Sequence, residues 1–199
     1  MTVVKICGIT RLEDAQLAAE LGASLLGFVL WPNSLRAASL ETVRRVVPVL
    51  PDHVTPVGVF VNPTVDQVNA AATSGIRLAQ VHGDWPVPLE SVRVPVIRAV
   101  HLSGDGVEPA VDDELILLDA HDPVKQGGTG TTIDWARASR IAKTRRVILA
   151  GGLTPENVAA AIQEVRPFAV DVASGVEASP GVKDHARLRK FIGAALQAP

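Results

Sequence analysis

The sequence predicts one α/β domain, residues 1–199, built as a parallel (β/α)8 barrel, and three observations carry that prediction. Eight short runs rich in Val, Ile and Leu recur along the chain: Val3–Ile9, Ser24–Trp31, Thr55–Val61, Leu78–His82, Val94–Val100, Leu115–Ala120, Val147–Ala150 and Ala169–Ala173. Most are apolar on successive residues rather than on alternate ones, the pattern of a strand covered on both faces in a parallel sheet. Between them lie segments with helical spacing, and strand alternating with helix leaves a closed barrel or a doubly wound open sheet; the strand number favours the barrel.

The helical segments have recognisable ends. Leu12–Leu21 stops at Gly22 and Val65–Ala72 stops near Gly75. Pro155–Val165 opens with Thr154-Pro155-Glu156-Asn157, where Thr154 suits a cap and Pro155 the first helical position. Ser103–Asp113 is short and rich in Gly, Pro and Asp, so the fifth crossover is expected to be a loop or a single turn and the fifth helix reduced or missing. No Pro/Gly/Ser-rich linker, charge block or composition shift divides the chain.

Composition narrows the function classes. With 47% apolar residues, 20% charged residues and 16 glycines, the chain buries a core and turns often. A net charge of −2 without a Lys/Arg run argues against a nucleic acid or an anionic membrane as partner and for a small molecule. Cys7 is the single cysteine, so the chain forms no internal disulfide and builds no cysteine metal site. No charged leader, cleavage site or membrane-length apolar stretch is present, and a cytoplasmic location is expected.

In such a barrel, chemistry sits where strands end and the following loops begin. Cys7 closes the first run in Lys5-Ile6-Cys7-Gly8, either as a base or as a small buried hydrophobe. Asp119 closes the sixth, Leu115-Ile116-Leu117-Leu118-Asp119, and either caps a loop or does acid–base work. Ala150-Gly151-Gly152-Leu153 and Ser174-Gly175-Val176 follow the seventh and eighth runs, where glycines free backbone N–H groups for an anion, so Gly151, Gly152, Ser174 and Gly175 are candidate phosphate binders. Gly127-Gly128-Thr129-Gly130-Thr131 reads as a mobile or ligand-covering loop without a Walker pattern.

Arg36, in the loop after the second run, is either a solvated surface group or a bidentate binder of carboxylate or phosphate. Asp171, inside the last run, needs a hydrogen-bond partner, for which a sugar hydroxyl serves. His82 is a substrate contact or a structural imidazole; His101, His121 and His185 show no metal-ligand spacing, and no metal site is read. Asp122-Pro123 is assigned to a turn.

Over essentially its whole length the chain resembles the phosphoribosylanthranilate isomerases. The likeness rests on Lys5-Ile6-Cys7-Gly8, Gln80-Val81-His82-Gly83, Leu118-Asp119, Gly127-Gly128-Thr129-Gly130 with Asp134-Trp135, Gly151-Gly152-Leu153-Thr154-Pro155-Glu156-Asn157-Val158, and Asp171-Val172-Ala173-Ser174-Gly175-Val176-Glu177 followed by Pro180-Gly181-Val182-Lys183-Asp184. It implies a TIM barrel that performs a cofactor-free Amadori rearrangement, with Asp119 as general acid and Cys7 as general base. It further implies Arg36 on the anthranilate carboxylate, Asp171 on a ribose hydroxyl, His82 in the substrate site and the two glycine loops on the phosphate. The acid must then keep its proton near neutral pH and the thiol must lose its own. The loop Asn33-Ser34-Leu35-Arg36-Ala37 departs from the family's usual Ser-Pro-Arg-aromatic pattern, and Ala150 and Ala173 replace common serines, so altered affinity is expected.

Three other readings stand beside this one. The histidine-pathway aminosugar isomerase performs the same rearrangement but uses two aspartates, where Cys7 stands here. Indole-glycerol-phosphate synthase needs a lysine at a strand end, and strand alternation is read as turning Lys5 away from the side of Cys7. A non-catalytic phosphosugar-binding barrel has no need of both Cys7 and Asp119. The oligomeric state expected is monomer or homodimer.

Overall fold

A computed structural model of the chain describes residues 2–84, 91–102, 114–120 and 134–199. Eight parallel strands close into a barrel: β1 (Val3–Cys7), β2 (Leu25–Val29), β3 (Thr55–Val61), β4 (Leu78–His82), β5 (Val96–His101), β6 (Leu115–Asp119), β7 (Arg146–Leu149) and β8 (Ala169–Val172). Each pairs with its sequence neighbour, and β1 closes the cylinder against β8 with Lys5 beside Asp171 in register. Every strand matches one of the eight apolar runs. The expected fifth crossover, the glycine loop at Gly127–Thr131 and the Asp122-Pro123 turn lie outside the described residues.

Helices α1 (Leu12–Glu20), α2 (Leu40–Val46), α3 (Val65–Thr73), α4 (Trp135–Ala142), α5 (Val158–Val165) and α6 (His185–Gln197) pack around the outside. Their starts follow local chemistry. Ser39 caps α2, Thr64 and Gln67 form a reciprocal capping box at α3, and Asp134 and Asp184 cap α4 and α6, each cap stabilising by about 1 kcal/mol. The expected helix at Pro155 begins instead at Val158. The cause is side-chain competition: Asn157 accepts from the Thr154 amide at 2.8 Å and donates to the Gly152 carbonyl at 3.0 Å, holding the first turn as a loop.

Strand alternation divides the core in two. Outward residues such as Val4, Ile6, Leu26, Phe28, Ile116, Leu118 and Val170 are fully buried beneath the helices. Inward residues fill the cylinder, and its lower part is apolar: Ile97, Leu117, Ile148 and Ala169 meet there. Toward the carboxyl ends the inward positions turn polar, with Lys5, Gln80 and Asp171 all buried. The opposite end carries a basic recess of about 450 Å³ lined by Lys143, Arg145, Arg146 and Arg166. Lys143 and Arg166 sit at the carboxyl ends of α4 and α5, where cations offset the helix dipole.

One element has no counterpart in the eight-run pattern. After β8 a short 3-10 turn (Ser174–Val176) leads into an antiparallel hairpin, β9 (Glu177–Ser179) with β10 (Val182–Lys183), turning at Pro180-Gly181. Two strands this short show no periodicity. The hairpin is anchored by Asp14 of α1, fully buried, which accepts from the Lys183 amide at 3.1 Å and contacts the His185 ring at 2.8 Å.

Candidate active site

Cys7, His82 and Asp119 end β1, β4 and β6, and Asp171 lies on β8; all occupy inward positions of the barrel wall, so the structure brings them to one opening. Lys5 shares that interior. Residues two apart on a strand point to the same face, so the expectation that Lys5 turns away from Cys7 is corrected. A Cβ built on Gly27 of β2 falls 2.9 Å from Cys7 Sγ and 3.3 Å from Lys5 Nζ, so both atoms crowd the space that this glycine leaves open.

Lys5 is 1% exposed and its Nζ donates to Asp171 Oδ2 at 2.8 Å. Burial alone would strip its proton, but the Asp171 charge and Cys7 outweigh it and raise the Lys5 pKa above the ordinary lysine value. Burial likewise pushes the Cys7 thiol up, against the pull of Lys5 and Lys183. The thiol is therefore harder to ionise than a solvated cysteine, opposite to the expected direction, because the barrel wall removes water from around it.

The second Asp171 oxygen, Oδ1, is buried without a hydrogen-bond partner among the described residues. Such an acceptor costs about 1–3 kcal/mol unless a ligand donor reaches it.

Arg36 is half-buried and paired. Its Nε lies 2.9 and 3.0 Å from the two Glu177 carboxylate oxygens and its Nη2 2.7 Å from Oε2. Glu177 also meets Lys183 Nζ at 3.0 Å, and that ammonium donates to the Cys7 carbonyl at 2.6 Å and the Ala173 carbonyl at 3.2 Å. Burial would raise the Glu177 carboxyl, but Arg36 and Lys183 hold it below its ordinary value; burial lowers Lys183, against the pull of Glu177. Sequence reasoning gave no role to Glu177, Lys183 or Lys5. The signal was that these charged residues lie within the motifs that carry the family likeness.

On the other wall, the Gln80 amide nitrogen is 2.8 Å from His82 Nε2, and the His82 and His101 rings stand 5.8 Å apart. His101, set aside in the sequence, is the register neighbour of Asp119. Asp119 lies over the first glycine loop, since a Cβ on Gly151 would sit 3.1 Å from its Oδ1 and 2.6 Å from the Ala120 amide. Gly151 and Gly152 both adopt left-handed φ values, 84° and 69°. Gly175 packs so closely on that loop that its Cβ would fall 1.9 Å from the Leu153 carbonyl oxygen. The two expected phosphate loops thus touch, and Ser174 is exposed. Among the described residues, no three His, Cys, Asp or Glu side chains gather as a metal ion would require.

A single strand end with a thiol and another with a carboxylate would leave several phosphosugar barrels open. The model of the N-(5'-phosphoribosyl)anthranilate (PRA) isomerase family matches residues 4–194. The chain belongs to that family. It is 46% identical over 200 residues to the N-(5'-phosphoribosyl)anthranilate isomerase of Geobacter sp. (strain M21), covering 98% of both chains. A phosphoribosyl anthranilate isomerase crystallised with reduced 1-(o-carboxyphenylamino)-1-deoxyribulose 5-phosphate superimposes with a TM-score of 0.84 at 42% identity, covering 98% of this chain and 99% of that one. A structure of monomers generated from the dimeric enzyme of Thermotoga maritima matches with a TM-score of 0.84 at 41% identity, over 99% and 100% of the two chains. Among the described residues no helix is long and apolar enough to cross a membrane.

Proposed function

We propose that this chain is an isomerase of tryptophan biosynthesis that converts N-(5-phosphoribosyl)anthranilate to 1-(2-carboxyphenylamino)-1-deoxyribulose 5-phosphate, within one catalytic domain spanning residues 1–199. The observation that carries the reading is the placement of Cys7 beside Lys5 and Asp171 on one wall and of Asp119 over the Gly151 loop on another. Asp119, protonated, gives its proton to the ring oxygen as the C1′–O bond breaks, and the amine nitrogen lone pair forms the C=N bond of a Schiff base. Cys7, as thiolate, takes the C2′ proton; the freed pair forms C1′=C2′ and the C=N electrons return to nitrogen. The enolamine then tautomerises to the ketone. C1′ is reduced and C2′ oxidised within one molecule, so the reaction needs no redox cofactor.

The remaining contacts follow from unused hydrogen-bonding capacity. Glu177 occupies one edge of the Arg36 guanidinium, which leaves the Nη1 edge for the anthranilate carboxylate. Asp171 Oδ1 accepts a ribose hydroxyl, while His82, steadied by Gln80, lines the substrate wall. Backbone amides around Gly151, Gly152, Ser174 and Gly175 hold the phosphate. We place the chain in the cytoplasm, as a monomer or homodimer, with the phosphorylated substrate as its partner and neither nucleic acid nor membrane.

Loss of anthranilate fluorescence on adding the purified protein to freshly prepared phosphoribosylanthranilate tests this reading. Wild type should turn over, and Cys7→Ala and Asp119→Asn should each lose roughly 10²–10⁴-fold in kcat. Substrate binding without turnover in wild type would move the chain to a non-catalytic phosphosugar-binding barrel.

A further inference from the structure

Burial alone keeps the Cys7 thiol protonated, so its use as a base requires something in the wall to stabilise its anion. Among the described residues the charged groups around it are few and can be named. On its own strand stands Lys5; on β8, Asp171; on the hairpin, Lys183 with Glu177; and above Gly8, the Arg36 chain. The neighbouring strand β2 carries no charge at all. Lys183 approaches through the Cys7 carbonyl and is bound to Glu177, and Arg36 is bound to that same carboxylate. Lys5 is different. Its ammonium and the Cys7 sulfur crowd one point over Gly27, and Asp171 Oδ2 takes only one of its three N–H donors.

We infer that Lys5 is a positioning residue for the isomerisation: its buried ammonium, pinned by Asp171, is the counter-charge of the Cys7 thiolate. This rests on the isomerase reading above. Asp171 plays two parts through its two oxygens. Oδ2 holds Lys5 in place and shares its charge, while the unsatisfied Oδ1 is open to a substrate hydroxyl. A hydroxyl donated to Oδ1 draws carboxylate charge away from Lys5, so filling the site strengthens the hold of Lys5 on the thiolate. Gly27 is part of the device, since any side chain there would wedge between the two atoms.

Because Cys7 is the single cysteine, alkylation by iodoacetamide reports its ionisation alone, without substrate. The pH midpoint of the alkylation rate should rise by about one unit or more in Lys5→Met and fall in Asp171→Asn, opposite shifts that a merely structural role would not give. The acidic limb of kcat should move up with the midpoint in Lys5→Met. If Lys5→Met fails to fold because Asp171 is left unpaired, the Lys5→Met/Asp171→Asn double variant removes the pair together. Its midpoint should then lie above that of Asp171→Asn. Equal midpoints in wild type and Lys5→Met, or in Asp171→Asn and the double variant, overturn the inference. The turnover assay on wild type judges the isomerase reading separately, since an inactive wild type sinks that reading whatever the alkylation midpoints show.

Discussion

The two walls of the opening are built on opposite electrical plans. Around Cys7, five charged side chains interlock: Lys5 with Asp171, and Arg36 and Lys183 with Glu177. Among the described residues, the inward positions of β4, β5 and β6 around Asp119 are Leu78, Gln80, His82, Ile97, Ala99, His101, Leu115 and Leu117, without a lysine or arginine among them. In the reaction proposed above, the base has to lose its proton and the acid has to keep one. A cation-rich wall serves the first task, and an amide, imidazole and hydrocarbon wall serves the second. The barrel separates the two by assigning them to different strands.

That contrast is broken most directly by placing a fixed cation on the acid wall. In His101→Lys an ammonium stands beside Asp119 across the β5–β6 register. The Asp119 proton should be lost at lower pH, the basic limb of kcat should move down by about one unit, and kcat at pH 8 should fall roughly tenfold. A pH profile identical to wild type would remove the electrical distinction between the walls.

A smaller effect is expected from Glu177→Gln, which cuts the tie shared by Arg36 and Lys183. KM should rise roughly five- to tenfold, the cost of about 1 kcal/mol of lost orientation, with kcat nearly unchanged. The sign of its pH dependence follows from the depressed Glu177 carboxyl. Its stabilisation is present above the ordinary carboxylate range and is lost as pH falls through the lower folded value. Melting temperatures of wild type and Glu177→Gln should therefore differ near pH 7 and converge as pH falls through the depressed Glu177 value; a gap that persists in strong acid would mean the ion pairs are not its source.

The smallest effect concerns the phosphate loops. Ala150→Ser supplies a hydroxyl beside Gly151 and should lower KM by roughly two- to fivefold, the value of one modest hydrogen bond. An unchanged KM would show that backbone amides already satisfy the phosphate.

The sequence made the barrel legible because parallel strands buried on both faces leave continuous apolar runs, and Cys7, Asp119 and Asp171 stood out by interrupting or ending such runs. The glycine loops were readable for a similar reason, since Gly151 and Gly175 occupy places where a Cβ would collide with backbone. The β9–β10 hairpin was not readable, being too short for a period and separated only by Pro180-Gly181. Without it, Arg36 had no partner to be read against. Lys5 was misread through its side of the strand, and its meaning depends on Asp171, 166 positions away. Contacts of that separation leave no local trace.

The register of β1 against β8 also bears on how the molecule comes into being. Lys5 and Asp171 straddle the seam where the first strand meets the last, and Lys183 reaches the Cys7 carbonyl across 176 positions. Joining the ends of so long a loop is the slow, entropically costly part of forming such a topology. The wall around Cys7 gains Asp171, Glu177 and Lys183 only after that closure, whereas the β4–β6 wall is assembled from neighbours in the chain. A nascent or truncated chain ending before Ala169 carries Cys7, Lys5 and Asp119 but lacks Asp171, Glu177 and Lys183, so completing the cylinder and pinning Lys5 in place are one event.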